Sequence, residues 1–165
     1  MHLIIERLLD HNEFATRTLL AACRSLSEAQ FHQRFEIGLG SLHDTLRHVL
    51  GAMLRWSDRI TQRELRPSIE KSGRGFTPDE LLQLLQQADR EMRSAAETVE
   101  RKLDQKFTVA FTLEMAPEQF TFGSAIVHVA THGVHHRAQC LNMLRQLGVQ
   151  EPPSIDALDA ELEAK

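Results

Sequence analysis

Apolar residues recur at helical spacing through four long stretches of the chain, each bounded by capping or breaking residues. From Leu3 to about Ser25, Ile4, Leu8, Leu9, Ala15, Leu19, Leu20 and Cys23 approximate one stripe and predict a first helix. Ser27 with Gln30 forms a capping-box pattern ahead of a short turn at Phe31, and the glycines between Phe35 and Gly40 mark a loop. Ser41, with Asp44 at the third helical position, starts a second helix that reaches about Gln62. A polar connector with glycine and proline runs from Arg66 to Gly75. Thr77-Pro78-Asp79-Glu80 then combines a capping threonine, a proline at the first helical position and a glutamate able to reach back. The third helix continues to about Leu103 through Leu81, Leu84, Leu85, Ala88, Met92, Ala95, Ala96 and Val99, with a charged opposite face.

Between Lys106 and Phe122 the segment KFTVAFTLEMAPEQFTF is rich in Phe, Thr and Val and predicts an extended strand or irregular hairpin. A fourth helix follows from about Gly123 to Leu147 and stops at Gly148, and IDALDAELEA predicts a last helical segment. These elements predict an all-α fold, a four-helix bundle with a short extended excursion before its fourth helix, in one domain over residues 1–165.

Charge narrows the function classes. A net charge of −4, with no Lys/Arg-rich run, leaves no electrostatic footprint for nucleic acid. No apolar stretch approaches the length of a membrane span, and the start MHLIIERLLDHNEF is broken by charges too early for a signal peptide, so a cytoplasmic protein is expected. Cys23 and Cys140 fall inside predicted helices without C-x-x-C spacing and are expected to be reduced core residues.

Candidate chemistry is concentrated in HVATHGVHHRAQ, which holds four of the nine histidines. A helix advances about 40° for each step of four residues, so His128, His132 and His136 form one stripe. A lone helical histidine is usually structural or solvated, but four on one helix need a reason, and imidazoles one turn apart can hold a divalent metal ion. The His132/His136 pair has the spacing of the helical zinc-protease motif H-E-x-x-H. Gly133 stands where that motif has its general-base glutamate, which argues against a metalloprotease. The stripe borders an apolar sector formed by Ile126, Val129, Cys140, Leu144 and Leu147, where imidazole nitrogens need partners. A further ligand is expected from the second helix, in SLHDTLRHVLGAMLRW: His48 shares a ridge with Ala52 and Trp56, whereas His43 is expected to point elsewhere, into solvent.

These residues resemble the DinB superfamily of small four-helix proteins: a single histidine in S-L-x-x-T-L-x-H-V-L-G-A-x-x-x-W, a late H-x-x-x-H followed by R-x-Q, and the ending L-R-Q-L-G-V-x-x-P-P. The resemblance covers essentially the full length. It implies a divalent-metal triad of His48, His132 and His136, nickel or zinc in relatives, with His128 and His135 outside the ligand set. One departure is HHRAQ, with Ala138 where many members have glycine. Arg137 is expected on the outer face or in an interface, Gln139 near the ligands, and Trp56 in the core or a pocket wall; none is expected to act as an acid or base.

Three neutral imidazoles with an open position resemble a catalytic more than a structural metal site, and such an ion lowers the pKa of bound water or thiol. The resemblance extends to bacillithiol- and mycothiol-dependent transferases and to the thiol-dependent maleylpyruvate isomerase. It implies an S-transferase that uses a low-molecular-weight thiol on an electrophilic small molecule. A metal-dependent hydrolase and a non-catalytic metal-binding stress or interaction protein are the alternatives. Relatives also pair through helices, so a homodimer is expected, using Leu3, Ile4 and Leu8 or Leu141, Leu144 and Leu147. Because bound histidines must be neutral, metal loss is expected below about pH 6.

Overall fold

A computed structural model of the chain describes residues 1–111 and 116–163. It is mostly helical. Helix α1 spans Leu3–Cys23, and α2 is a single turn, Glu28–Phe31, held by the expected reciprocal capping of Ser27 and Gln30. The loop that follows needs left-handed backbone at Gly38 (φ +52°) and Gly40 (φ +86°), which glycine adopts without a Cβ clash. Helix α3 spans Leu42–Ile60, with the Ser41 hydroxyl accepting from the Asp44 amide at 3.0 Å. Across the connector, a 3-10 turn at Ile69–Lys71 lies against α3. Helix α4 spans Pro78–Val99, started by the Thr77/Glu80 capping box, and a 3-10 turn at Glu100–Lys102 carries the chain almost to the expected end at Leu103.

The extended excursion is a two-stranded antiparallel ribbon. Strand β1, Lys106–Val109, pairs with β2, Glu118–Thr121, so that Phe107 faces Phe120. Residues 112–115 of the expected excursion lie outside the described residues. Helix α5, Phe122–Gln146, starts one residue earlier than expected because the Thr121 hydroxyl accepts from the Ser124 amide at 3.1 Å, and Gly148 (φ +86°) follows its end. The short α6, Ala157–Glu163, rests on α1, where Glu163 pairs with Arg17. Among the described residues no helix is long and apolar enough to cross a membrane.

The four long helices pack pairwise, α3 against α4 and α5, and α1 against the same two. Their shared core includes Leu9, Leu19, Leu50, Met53, Leu85, Met92, Ile126 and Leu144. The stripe of α1 is rotated from the expected one. Ile5, one turn before Leu9, is buried, while Ile4 is 60% exposed. The same stripe carries two buried polar residues, Asn12 and Thr16. They account for a second correction: Arg137 is not on the outer face but fully buried, donating to Asn12 Oδ1 at 2.6 Å and Thr16 Oγ1 at 3.2 Å. Buried polar side chains on one helix match a buried guanidinium on another, and neither is interpretable alone.

His43 is likewise buried rather than solvated. The connector crosses it, and its Nε2 accepts from the Phe76 amide at 3.2 Å while Nδ1 meets Asp44 at 3.0 Å. Leu144 belongs to the core, and Leu141 and Leu147 pack against it, so this trio is not a free face. Leu3 remains exposed beside Ile4. Cys23 and Cys140 are free and buried, as expected.

Candidate metal centre

Facing ridges of α3 and α5 bring three imidazoles together. His48 projects from α3, and His132 and His136, one turn apart on α5, meet it across the helix interface. The His132 Nε2 lies 3.1 Å from the His48 Nε2 and 3.2 Å from the His136 Nε2. One ligand atom from each residue lies within 4.8 Å of the others, an arrangement that could hold a metal ion. His128 and His135 stand beside this cluster: the His128 ring is 5.1 Å from Trp56 and 5.5 Å from His132, and the His135 ring is 5.0 Å from His136. His43, on the same helix as His48, is engaged elsewhere.

The outer nitrogens decide what the inner ones can do. His48 Nδ1 lies 3.0 Å from Glu70 Oε1, and His136 Nδ1 lies 2.9 Å from Gln139 Oε1. Ionised carboxylate and amide oxygens only accept, so both Nδ1 atoms carry the proton, and the neutral rings present bare Nε2 lone pairs. The Gln139 orientation is consistent with its amide nitrogen lying 3.0 Å from His135 Nε2. With the His48 and His136 Nε2 atoms as acceptors, the His132 Nε2 between them either donates a proton to one of them or shares a cation with both. Nitrogens bound at about 2.0–2.2 Å around a tetrahedral ion would be roughly 3.4 Å apart. The spacing, and the tautomers of His48 and His136, therefore fit a divalent ion with imidazole ligands.

Electrostatics favours the neutral rings. Burial, reinforced by the surrounding histidines, pushes His132 down to about 3, and burial also lowers His136 against the opposing hydrogen bond from Gln139. Burial thus favours the neutral, metal-binding form of His132 and His136. Burial alone would raise the Glu70 carboxyl, but hydrogen bonds from His48 and Ser68 outweigh it and hold the group down to about 2. Glu70 is consequently an anion fixed against the back of a ligand imidazole, the arrangement that sets tautomer and orientation at many metal sites.

Gly133 contributes through what it lacks. A Cβ there would lie 2.5 Å from both Arg137 Nη1 and Asn12 Oδ1, so the position faces packed interior. A glutamate in the manner of H-E-x-x-H has no space, which removes the protease arrangement on steric grounds as well as by identity.

The cluster opens onto a cavity of about 330 Å³ lined by Trp56, Arg55, Arg59, Phe111, Glu70 and Lys71 as well as by His48 and His132. Trp56 is pocket wall, as expected. Glu70 was not legible from the connector, whose sequence shows only polar and turn-forming residues. Arg55 and Arg59 were accessible in principle, since positions seven and eleven residues beyond His48 share its helical face.

The DinB family model matches residues 1–164. The chain belongs to the DinB family. No curated protein matches it. Within this DinB-family chain the residues of the expected triad are the three that converge, although they stand 84 positions apart between His48 and His132.

Proposed function

We propose that this protein is a divalent-metal DinB protein in which His48, His132 and His136 hold the ion, nickel or zinc, and that it transfers a low-molecular-weight thiol to electrophilic small molecules. The observation that carries the reading is the convergence of three imidazole nitrogens beside an accessible cavity. A divalent ion held there supplies Lewis acidity that makes a thiol or water more acidic near neutral pH. The protein's own groups set the conditions for this chemistry. Glu70 and Gln139 hold the tautomers of His48 and His136, and burial keeps His132 neutral. Trp56 and Phe111 wall the cavity with apolar surface beside the cluster, limiting water around a bound substrate. In the transfer the thiol sulfur bonds to the electrophilic carbon and the thiol proton is released, while the leaving group departs with the electron pair of its broken bond.

The pairwise packing of α1, α3, α4 and α5 is read as the four-helix bundle of the family. A homodimer through the exposed start of α1, with Leu3 and Ile4, belongs to the same proposal. The second reading, a metal-binding protein without turnover, is favoured by one feature: the cavity's described carboxylate, Glu70, is already committed to His48 and Ser68 and is not free as a base. Incubating the metal-loaded protein with a panel of thiols and an electrophilic acceptor separates the two. Conjugate formation that is lost in His48→Ala supports the transferase. Absence of product with every thiol, at full metal occupancy, supports the binding protein.

A further inference from the structure

The face of α3 that carries His48 continues away from the cluster as Ala52, Arg55, Trp56 and Arg59, and all of them line the same cavity. At about 1.5 Å rise per residue, Arg55 and Arg59 start roughly 10 and 16 Å beyond His48, and helical side chains lean back toward the N-terminus, here toward the cluster. Among the described residues neither arginine forms an ion pair, in contrast to Arg63 and Arg66 just beyond, which pair with Asp58 and Glu91. Among the described residues Arg55 donates only to the Arg66 carbonyl, at 3.2 Å. The Arg59 guanidinium sits 5.3 Å from the Trp56 ring and 5.6 Å from the Phe111 ring, and its Nε is buried without a hydrogen-bond partner.

Two half-buried guanidiniums in one apolar-walled cavity repel each other and have no ion-pair partner among the described residues; Asp58, whose charge acts on Arg59, is itself paired with Arg63 and Arg66. Burial, followed by the Arg55 charge, pushes Arg59 below the usual arginine range. Arginines on a helix are ordinarily solvated or paired with carboxylates of the same protein. Here the cavity's described carboxylate, Glu70, faces His48 instead, and Lys71 adds a further positive group at the rim. An anion entering from solvent would satisfy all of these groups. The cavity, at the lower end of ligand-pocket volumes, limits that anion to a small molecule, and the flat Trp56 and Phe111 rings, 6.1 Å apart, suit a carbon chain or ring.

We propose that the cavity binds a small carboxylic acid, its carboxylate held by Arg55 and Arg59, its carbon body against Trp56 and Phe111, and its other end directed at the histidine cluster. Only that last direction rests on the proposed metal-centre function; the anion site stands on the two arginines. Guanidinium and carboxylate match in planarity and charge, so discrimination should fall on the charge of the ligand rather than on its shape.

Trp56 is the single tryptophan of the chain, so its fluorescence reports cavity occupancy. The probes are 3-phenylpropionate and its neutral primary amide, titrated into metal-free and zinc-loaded protein. The acid is expected to bind about tenfold more tightly than the amide in both forms, and Arg55→Gln/Arg59→Gln is expected to remove that preference while keeping the native circular dichroism melt. Equal affinities for acid and amide on the native protein overturn the proposal without recourse to any variant. A folded double variant that keeps the tenfold preference overturns it as well. An acid preference in metal-free protein upholds the anion site even if zinc never binds, an outcome that would count against the metal centre alone.

Discussion

Acidifying the metal-free protein from pH 7.5 to pH 5.0 should destabilise it through the histidine cluster. The unfolded chain protonates His132 near its ordinary value of 6.5, whereas the folded chain keeps it neutral down to about 3. Between these values the unfolded state binds the additional proton, so stability falls as pH drops through the window. Before screening, one such group at pH 5.0 corresponds to about 2 kcal/mol. Partial solvent access to the ring reduces this to about 1 kcal/mol. His136, His43 and His128 are also lowered, chiefly by burial, and act in the same direction. The depressed carboxylates Glu70, Asp58 and Glu91 contribute stability that is lost only as pH falls below the ordinary carboxylate range, so pH 7.5 to 5.0 isolates the imidazoles. Urea unfolding in the presence of a chelator, followed by Trp56 fluorescence, measures the effect in the native protein and in His132→Ala. The native protein should lose at least about 1 kcal/mol over the interval, and the variant should lose about 1 kcal/mol less than the native protein. Equal stability at both pH values, or an unchanged slope in His132→Ala, would refute the reasoning.

Glu70→Gln keeps a hydrogen-bond acceptor but removes the charge behind His48, and metal affinity measured by chelator competition should fall about 10- to 100-fold with the fold retained. Gly133→Ala drives a Cβ into Arg137 and Asn12, neither of which can move into solvent, and should destabilise by roughly 1–3 kcal/mol in thermal or urea unfolding. Burial pushes the Cys23 thiol up to about 12 and raises Cys140 as well, so neither should react with an aromatic disulfide reagent at pH 8 until the protein is unfolded. Light scattering at micromolar concentration should give twice the 18.8 kDa chain mass, and a value near 18.8 kDa would rule out the dimer.

The helices were legible because capping and periodicity act within a few residues. Ser27/Gln30 and Thr77/Glu80 form the reciprocal caps that their spacing implies, and the fourth long helix ends just before Gly148. The histidine stripe was legible for the same reason, since His132 and His136 are local neighbours on one turn. What stayed hidden depends on packing between distant segments. Arg137 is buried only because Asn12 and Thr16, more than 100 positions earlier, supply oxygens, and a single-helix pattern cannot distinguish that from a solvated arginine. His43 is covered by the connector, and Glu70 reaches His48 from a 3-10 turn that carries no periodic signal. The rotation of the α1 stripe from Ile4 to Ile5 has the same origin: hydrophobicity permits both, and the facing helices select one.

The central claim, that His48, His132 and His136 together hold a divalent ion, is tested most directly by calorimetric titration of zinc and nickel into chelator-stripped protein produced without an affinity tag, with alanine variants of all five histidines of the region. The account predicts one ion per chain in the native protein, about 2.0–2.2 Å from imidazole nitrogens by X-ray absorption. Binding should be lost in His48→Ala, His132→Ala and His136→Ala and retained in His128→Ala and His135→Ala. Undiminished binding in any of the first three, or loss of the ion in His128→Ala, would contradict it.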